Sequence, residues 1–207
     1  MKERGMIFNA EMVRAILSGN KTQTRRPIKE QPELTENSGF SYKGRVFGSG
    51  SNERETNRNF AHVACPHGKP GDRIWVRETF QGPLVDFVHS DDLLRNPEKY
   101  EKPENCVYKA DGTRCPEFYD ADDNLRCCWR PSIHMPRWAS RILLEITNVR
   151  VERLNDISEA DARTEGVPPA GTLLPEYPDT YLTPKGDFAT ATVAFQRLWE
   201  SIYGEES

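Results

Sequence analysis

Residues 73–80 read RIWVRETF, and apolar and polar side chains alternate along them. This period of two predicts a β-strand with one face in the core, and the turn sequence GKPGD at 68–72 predicts where the strand begins. The core face would carry Ile74, Val76, Glu78 and Phe80. A buried carboxylate is costly unless it is paired or neutral. Glu78 is therefore a functional acid or base with a raised pKa, or a carboxylate that an arginine or solvent satisfies.

Similar patterns predict the other strands and the helices. Residues 141–154 predict the longest strand, because their first half alternates in the same way, and residues 107–110 predict a short one before a turn. Three helices are predicted. The first starts at Ala10, which Asn9 can cap, and stops at Gly19. The second runs from its Ser158 cap to Gly166, and the third covers residues 191–203.

Three long segments carry no strong pattern and are predicted to be loops. They cover residues 29–66, 81–128 and 167–189, which are polar or rich in glycine and proline. In the first segment, a few apolar residues near 40–47 are typical of a loose hairpin. Because the strands are far apart in sequence and separated by loops and short helices, we predict an α+β fold with a mixed or antiparallel sheet.

Composition argues against a strongly basic nucleic-acid-binding protein, a disulfide-rich protein, a membrane protein and a zinc protein. The net charge is −4 and the pI is about 5.7, so a contact with RNA or DNA has to come from a local basic patch. Five cysteines, two of them adjacent, do not predict a disulfide framework and favour a reducing, cytoplasmic setting. We expect no signal peptide, no membrane span and no cofactor. We also expect no metal site, because the cysteines and histidines lack the paired spacing of zinc ligands.

Residues 19–26 read GNKTQTRR and concentrate the reactive groups of the chain. A lysine near a hydroxyl can act as a base beside a nucleophile, and arginines near hydroxyls can hold a phosphate or a base edge. A solvated basic stretch after a helix is the alternative. On a regular strand Lys21 and Thr24 would point to opposite faces, so their convergence requires an irregular backbone.

A second polar group follows at residues 132–141, where His134, Arg137 and Trp138 lie between apolar residues. An aromatic ring with arginines can stack a base and hold phosphate, and a histidine can carry a proton. Ordinary loop packing explains the same residues without any ligand.

The motif Gly19-x-Lys21-x-x-Thr24-x-Arg26 resembles the signature of the ASCH superfamily, Gly-x-Lys-x-x-Glu-x-Arg. Residues 7–13, 70–78 and 129–142 are also similar to ASCH proteins of tailed phages and prophages. The resemblance implies one PUA-like domain over residues 1–207, a small mixed β-barrel with flanking helices and with insertions at the three loop segments.

ASCH domains usually place one more strand after the last helix, and residues 203–207 are too short for it. We therefore expect an open barrel, an insertion in place of that strand, or a truncated copy. An open sheet edge would favour self-association.

The resemblance also implies a function. ASCH domains are thought to bind RNA, a nucleotide or a modified nucleobase in a cleft beside the motif. The resemblance implies that this cleft would hold Lys21, Thr24, Arg26 and Glu78. We predict that the ligand-binding residues are Gly19, Arg26, Arg77, His134, Arg137 and Trp138. One branch of the family removes the acyl group of N4-acetylcytidine with a lysine, a threonine and a glutamate. Lys21, Thr24 and Glu78 would take these catalytic roles here. A ribonuclease and a phage accessory protein that acts through protein contacts are further alternatives.

Overall fold

A computed structural model describes residues 1–35, 39–48, 52–120, 122 and 124–204, with the backbone alone for Leu34. The helices are α1 Ala10–Leu17, α2 Glu53–Val63, α3 Ser90–Arg95, α4 Glu159–Thr164 and α5 Ala191–Tyr203. The strands are β1 Glu3–Ile7, β2 Glu33–Leu34, β3 Phe40–Tyr42, β4 Arg45–Phe47, β5 Arg73–Arg77, β6 Phe80–Gln81, β7 Val107–Tyr108, β8 Glu117–Tyr119, β9 Leu125–Cys127, β10 Leu143–Glu145, β11 Tyr181–Leu182 and β12 Phe188–Ala189.

This mixture of helices and small sheets confirms the predicted α+β class. The strands form five sheets of two or three strands, and no closed barrel is present among the described residues. Short 3₁₀ helices connect them at Phe87–His89, Pro97–Lys99, Pro103–Asn105, Lys109–Asp111, Ser132–His134, Arg137–Ala139, Leu154–Asp156 and Gly171–Leu173. In the part of the chain that the structure covers, every helix is too short or too polar to cross a bilayer.

The chain divides into two compact units. The first unit comprises Met1–Val13 and Glu33–Arg150, and the second comprises Arg14–Pro32 and Val151–Ser207. The predicted single domain over residues 1–207 stays a prediction. The expected lack of a strand after α5 concerns residues 205–207, which lie outside the described residues.

The first unit contains the sheet that residues 73–80 predict. Its strand order is β1-β5-β10, with β1 parallel to β5 and β10 antiparallel to it. Ile74, Val76, Glu78 and Phe80 are all buried, with 7 % or less of their surface exposed, which confirms the predicted core face. The strand itself stops at Arg77, and Phe80 belongs to the next strand, which pairs with β7.

The predicted strand over residues 141–154 is wrong in length. Only β10 is a strand, because its partner β5 starts at Arg73, which lies opposite Glu145. Two further backbone bonds end the pairing: the Ile146 amide donates to the Asp72 carbonyl at 2.9 Å, and the Gly71 amide donates to the Ile146 carbonyl at 2.8 Å. Alternating apolar residues beyond that point have no neighbouring strand to bond with, and a strand cannot form alone.

The predicted loop at residues 29–66 is only partly a loop. The hairpin is present as β3 and β4, and its aromatic side chains surround Phe60, with Phe40 at 5.6 Å and Phe47 at 5.6 Å between ring centroids. Phe60 belongs to α2, a helix that the sequence did not predict because its residues are mostly polar. The Asn52 side chain caps this helix by accepting from the Glu55 amide at 2.9 Å.

The other two predicted loops also contain short regular elements. Residues 81–128 include β6 to β9 and α3, and residues 167–189 include the β11–β12 hairpin. β7 confirms the short strand predicted at residues 107–110, although it ends at Tyr108. Each of the other strands in these segments is two or three residues long, too short for alternation to give a signal.

The second unit is built on the predicted helices α4 and α5. Ser158 caps α4 by accepting from the Asp161 amide at 3.1 Å, and α5 has the predicted bounds. The buried core contains Ala162, Val167, Tyr181, Ala191, Ala194, Phe195 and Trp199.

The predicted start of α1 is confirmed by the Asn9 side chain, which accepts from the Met12 amide at 2.8 Å.

Candidate functional site

The motif at residues 19–26 follows α1 as an irregular segment in the second unit. Gly19 has a φ of +76°, which ends the helix and which L side chains rarely adopt. The Lys21 amide then bonds back to the Ala15 carbonyl at 2.9 Å, and the next two amides both donate to the Thr164 carbonyl. The segment is held against the end of α4 without forming a regular strand, so the irregular backbone that the site requires is present.

Gly166 allows the two segments to approach each other. Its φ is +85°, and a Cβ atom there would lie 2.8 Å from the Lys21 Cβ and 2.9 Å from the Ala15 Cβ. Atoms at these distances would overlap, so a side chain at this position would push the segments apart. The glycine thereby lets Glu165, the residue before it, pair with Lys21 in an isolated β-bridge.

Lys21 and Glu165 form a buried ion pair. The Lys21 amine donates to the Glu165 carboxylate at 2.7 Å and to the backbone carbonyl of the same residue at 2.7 Å. The two side chains are 2 % and 4 % exposed. Burial lowers the pKa of Lys21 below its ordinary value, because the charged ammonium loses its hydration, and the carboxylate opposes this shift. The result is an amine that loses its proton more readily than an ordinary lysine.

The pair continues into a network of charges. Arg25 donates to the second Glu165 oxygen at 3.0 Å and to Glu152 at 2.8 Å, and it lies 3.9 Å from Asp161. The Gln23 amide group donates to Asp161 at 2.9 Å. The carboxylates of Glu152, Asp161 and Glu165 therefore offset the positive charges of residues 19–26. This segment is not an exposed basic patch.

Thr24 and Arg26 are half-buried, as are Gln23 and Arg25 beside them. An Arg26 nitrogen donates to the Tyr203 hydroxyl at 3.4 Å, which places this guanidinium at the last residue of α5. Both Thr24 and Arg26 are therefore more accessible than the enclosed Lys21 amine.

Glu78, the third predicted catalytic residue, belongs to the first unit. Arg141 holds its carboxylate by two hydrogen bonds, at 2.9 Å and 3.0 Å, and the same guanidinium binds Asp111 at 2.7 Å and 2.9 Å. The guanidinium carbon also lies 3.9 Å from the Tyr108 ring centroid. Burial raises the pKa of Glu78, and the bonds from Arg141 oppose this rise. The interpretation that an arginine satisfies Glu78 is confirmed.

The predicted site residues thus fall into two groups. Gly19, Lys21, Thr24 and Arg26 lie in the second unit, and Arg77, Glu78, His134, Arg137 and Trp138 lie in the first. A common cleft for all of them stays a prediction.

Within the first unit, the predicted ligand-binding residues have different surroundings. His134 and Arg137 are exposed, and Arg137 binds Glu3 at 3.0 Å. Trp138 packs against the buried cluster around Phe80.

Sequence reasoning did not identify Glu165 as a site residue. Its partner Lys21 is 144 residues away, and only its position before the helix stop at Gly166 distinguishes it in the sequence. Arg141 was identified as part of a polar group, but its pairing with Glu78 was not predicted. Both pairings join residues whose separation no local pattern encodes.

No group of three histidine, cysteine or acidic side chains that could hold a metal ion is found among the residues with described positions. An open surface depression of about 420 Å³ lies along α2 and is lined by Glu55, Arg58, Asn59 and His62. It contains none of the predicted site residues. Comparisons with protein-family models, with curated proteins and with solved structures gave no match.

Proposed function

We propose that this chain is an ASCH-type, PUA-like protein that binds a nucleobase, as a nucleoside, a nucleotide or part of an RNA, beside the Gly-x-Lys-x-x-Thr-x-Arg motif. The observation that carries the proposal is the buried Lys21–Glu165 pair. A buried ion pair is costly to assemble and is often less stable than apolar packing of the same volume. Lys21 belongs to the motif that resembles the family signature, with a half-buried threonine three residues later in the sequence, and this favours a functional role.

The charge balance of the network favours a neutral ligand group. Glu152, Asp161 and Glu165 offset the cations nearby, so a phosphate would meet little net positive charge. A base offers hydrogen-bond donors and acceptors instead, which the Thr24 hydroxyl and the Arg26 guanidinium can satisfy. We therefore assign base contact to these two residues.

A second function, hydrolysis of an N4-acylated cytosine, is favoured by the lowered Lys21 pKa. In this scheme neutral Lys21 takes the Thr24 hydroxyl proton, and the threonine oxygen forms a bond to the acyl carbon. The bond from that carbon to N4 breaks, and the amine leaves with the proton that Lys21 took from Thr24. Water then releases the acyl group from Thr24 as a carboxylic acid. Glu165 would stabilise the lysine ammonium formed in the first step, while the acid role stays a prediction for Glu78.

Binding is tested by isothermal titration calorimetry of the whole protein with cytidine and with N4-acetylcytidine. Thr24→Val removes the hydroxyl but keeps a β-branched side chain. Thr22→Val is the matched control, because Thr22 is exposed two residues earlier in the same segment. We expect Thr24→Val to weaken binding and Thr22→Val to leave it unchanged. If the wild-type protein binds neither nucleoside, or if both variants lose affinity equally, the proposed base site is overturned.

Hydrolysis is tested by following the release of cytidine from N4-acetylcytidine by chromatography. If Lys21 is the base, Lys21→Met should reduce the rate about 10²–10⁴-fold, the usual contribution of a general base. Lys29→Met, at an exposed lysine just after the motif, is the control. An inert wild-type protein, or a Lys21→Met variant as active as wild type, would exclude the enzymatic alternative while leaving the binding proposal to its own measurement.

A further inference from the structure

One face of the three-stranded sheet in the first unit is open to solvent. Residues that pair directly across a sheet share a face, so the register assigns this face the pairs Glu3–Arg73, Gly5–Trp75, Ile7–Arg77, Leu143–Trp75 and Glu145–Arg73. On the outer strands these residues are all exposed, including 41 % of Ile7 and 42 % of Leu143. The opposite face carries the buried Ile74 and Val76. We call the open face the sheet platform.

Trp75 lies across the middle of the platform. A Cβ atom on Gly5 would lie 2.6 Å from Cζ2 and 2.8 Å from Cε2 of the indole, so the ring rests directly over the backbone of β1. Gly5 is the residue that leaves this space, since any larger side chain would displace the ring. The indole therefore lies over the neighbouring strand, and Trp75 remains only half-buried.

Guanidinium groups surround this ring. The Arg77 guanidinium carbon is 5.4 Å from the ring centroid, and Arg73 lies two residues away on the same strand face. Arg137 borders the platform through its bond to Glu3 at 3.0 Å, and Arg73 approaches the same carboxylate at 3.9 Å. Glu3 is thus shared by two arginines.

Arg77 is only partly satisfied by the protein. One of its terminal nitrogens donates to the Ile133 carbonyl, and its buried Nε has no hydrogen-bond partner among the described residues. The face also carries the carboxylate of Glu145. Three guanidinium groups against two carboxylates leave the platform with a net positive charge in an acidic protein.

We propose that the sheet platform binds single-stranded nucleic acid. A base would stack on the Trp75 indole, and Arg73, Arg77 and Arg137 would contact the flanking phosphates. A half-buried aromatic ring on a sheet with cations around it is the arrangement that holds unpaired bases without reading their sequence. This site lies in the first unit, and the residues of the base site proposed at Lys21 belong to the second.

The test is fluorescence anisotropy of a labelled, mixed-sequence RNA of about ten nucleotides, titrated with the whole protein at about 50 mM salt. Trp75→Ala should weaken binding roughly tenfold or more, because stacking of one base on an aromatic ring is worth about that factor. Trp75→Phe should retain most of the affinity. Phe87→Ala is the matched control, since Phe87 is 91 % exposed in the same unit and lies off the platform.

A second pair of variants separates stacking from charge. Gly5→Val should weaken binding by displacing the indole, although every side chain proposed to contact the RNA is kept. Arg77→Gln should reduce the slope of log affinity against log salt by about 0.7, the value for one phosphate contact on a single strand. Circular dichroism and thermal unfolding of every variant verify that the fold is retained.

Three results would overturn the proposal. The first is no RNA binding by the wild-type protein at low salt. The second is equal affinity of wild type, Trp75→Ala and Trp75→Phe. The third is a wild-type dimer on a sizing column that Trp75→Ala converts to a monomer, which would make the platform an interface between two copies. Nucleoside titration measures the Lys21 site separately, so either site can fail alone.

Discussion

Replacing Lys21 with methionine should destabilise the second unit strongly. The change keeps an unbranched side chain out to Cε but removes Nζ and, with it, the two hydrogen bonds to Glu165, each 2.7 Å long. A carboxylate oxygen and a carbonyl oxygen are then left buried without their cation. Loss of one partner of a buried pair costs about 3–5 kcal/mol. Because Arg25 still binds the other carboxylate oxygen at 3.0 Å, we expect the free energy of unfolding to fall by about 3 kcal/mol, the lower end of this range.

The assay is urea denaturation of the whole protein, followed by circular dichroism and by tryptophan fluorescence, to which Trp199 in the core of the second unit contributes. Glu165→Met and the double variant complete a double-mutant cycle. Since the double variant leaves no half of the pair behind, it should be more stable than the sum of the two single losses predicts, by at least about 1 kcal/mol.

An exposed ion pair in the same unit provides the control. Arg163 and Asp179 are 3.0 Å apart, but their side chains are 46 % and 78 % exposed. Arg163→Met should cost less than about 1 kcal/mol. The reasoning is refuted if Lys21→Met costs no more than this control, or if the two single losses simply add.

The pH dependence of the same variant checks the direction of the Lys21 pKa shift. The folded protein has a Lys21 pKa below the ordinary 10.5, so between these two values the unfolded chain binds more protons. The contribution of Lys21 to stability therefore rises with pH across this window. Lys21→Met should remove that rise, and an unchanged alkaline slope would contradict the lowered pKa.

Three further predictions concern single contacts. Arg141→Met should lower the free energy of unfolding, measured by urea denaturation, by about 3 kcal/mol, because Glu78 is then buried without its cation. This loss should grow as the pH rises above 4.5, the ordinary pKa of a glutamate, because the unpaired carboxyl is then buried as an anion. Gly166→Ala should lower the melting temperature, and nuclear magnetic resonance should show shifts at Lys21, because φ is +85° and the new Cβ would overlap that side chain. Asp72 has a lowered pKa, chiefly through its bond from the Lys2 amide at 2.8 Å. Its stabilisation is therefore present above the ordinary 3.8 and lost as the pH falls through the lowered value, so Asp72→Asn should be less stable than wild type at neutral pH but not in acid.

The sequence by itself determined the elements whose signals are local. Alternation at residues 73–80 identified the core face of β5 and singled out Glu78 as a buried carboxylate. The caps Asn9 and Ser158 located the starts of α1 and α4, and an apolar stripe located α5. In each case the residues that carry the signal lie within one or two turns, or within one strand, of each other. The periods of a helix and a strand therefore suffice to find them.

Only the tertiary structure decided which charges meet. Lys21 lies against Glu165, and Glu78 against Arg141, across 144 and 63 residues of chain. Tertiary contacts also determine that β10 ends where its partner strand begins. They stabilise α2 through Phe60, although most residues of that helix are polar. Local patterns cannot encode these outcomes, because each depends on a distant segment that supplies a hydrogen-bond partner or a surface to pack against. The free energy that selects them arises only when that segment is in place.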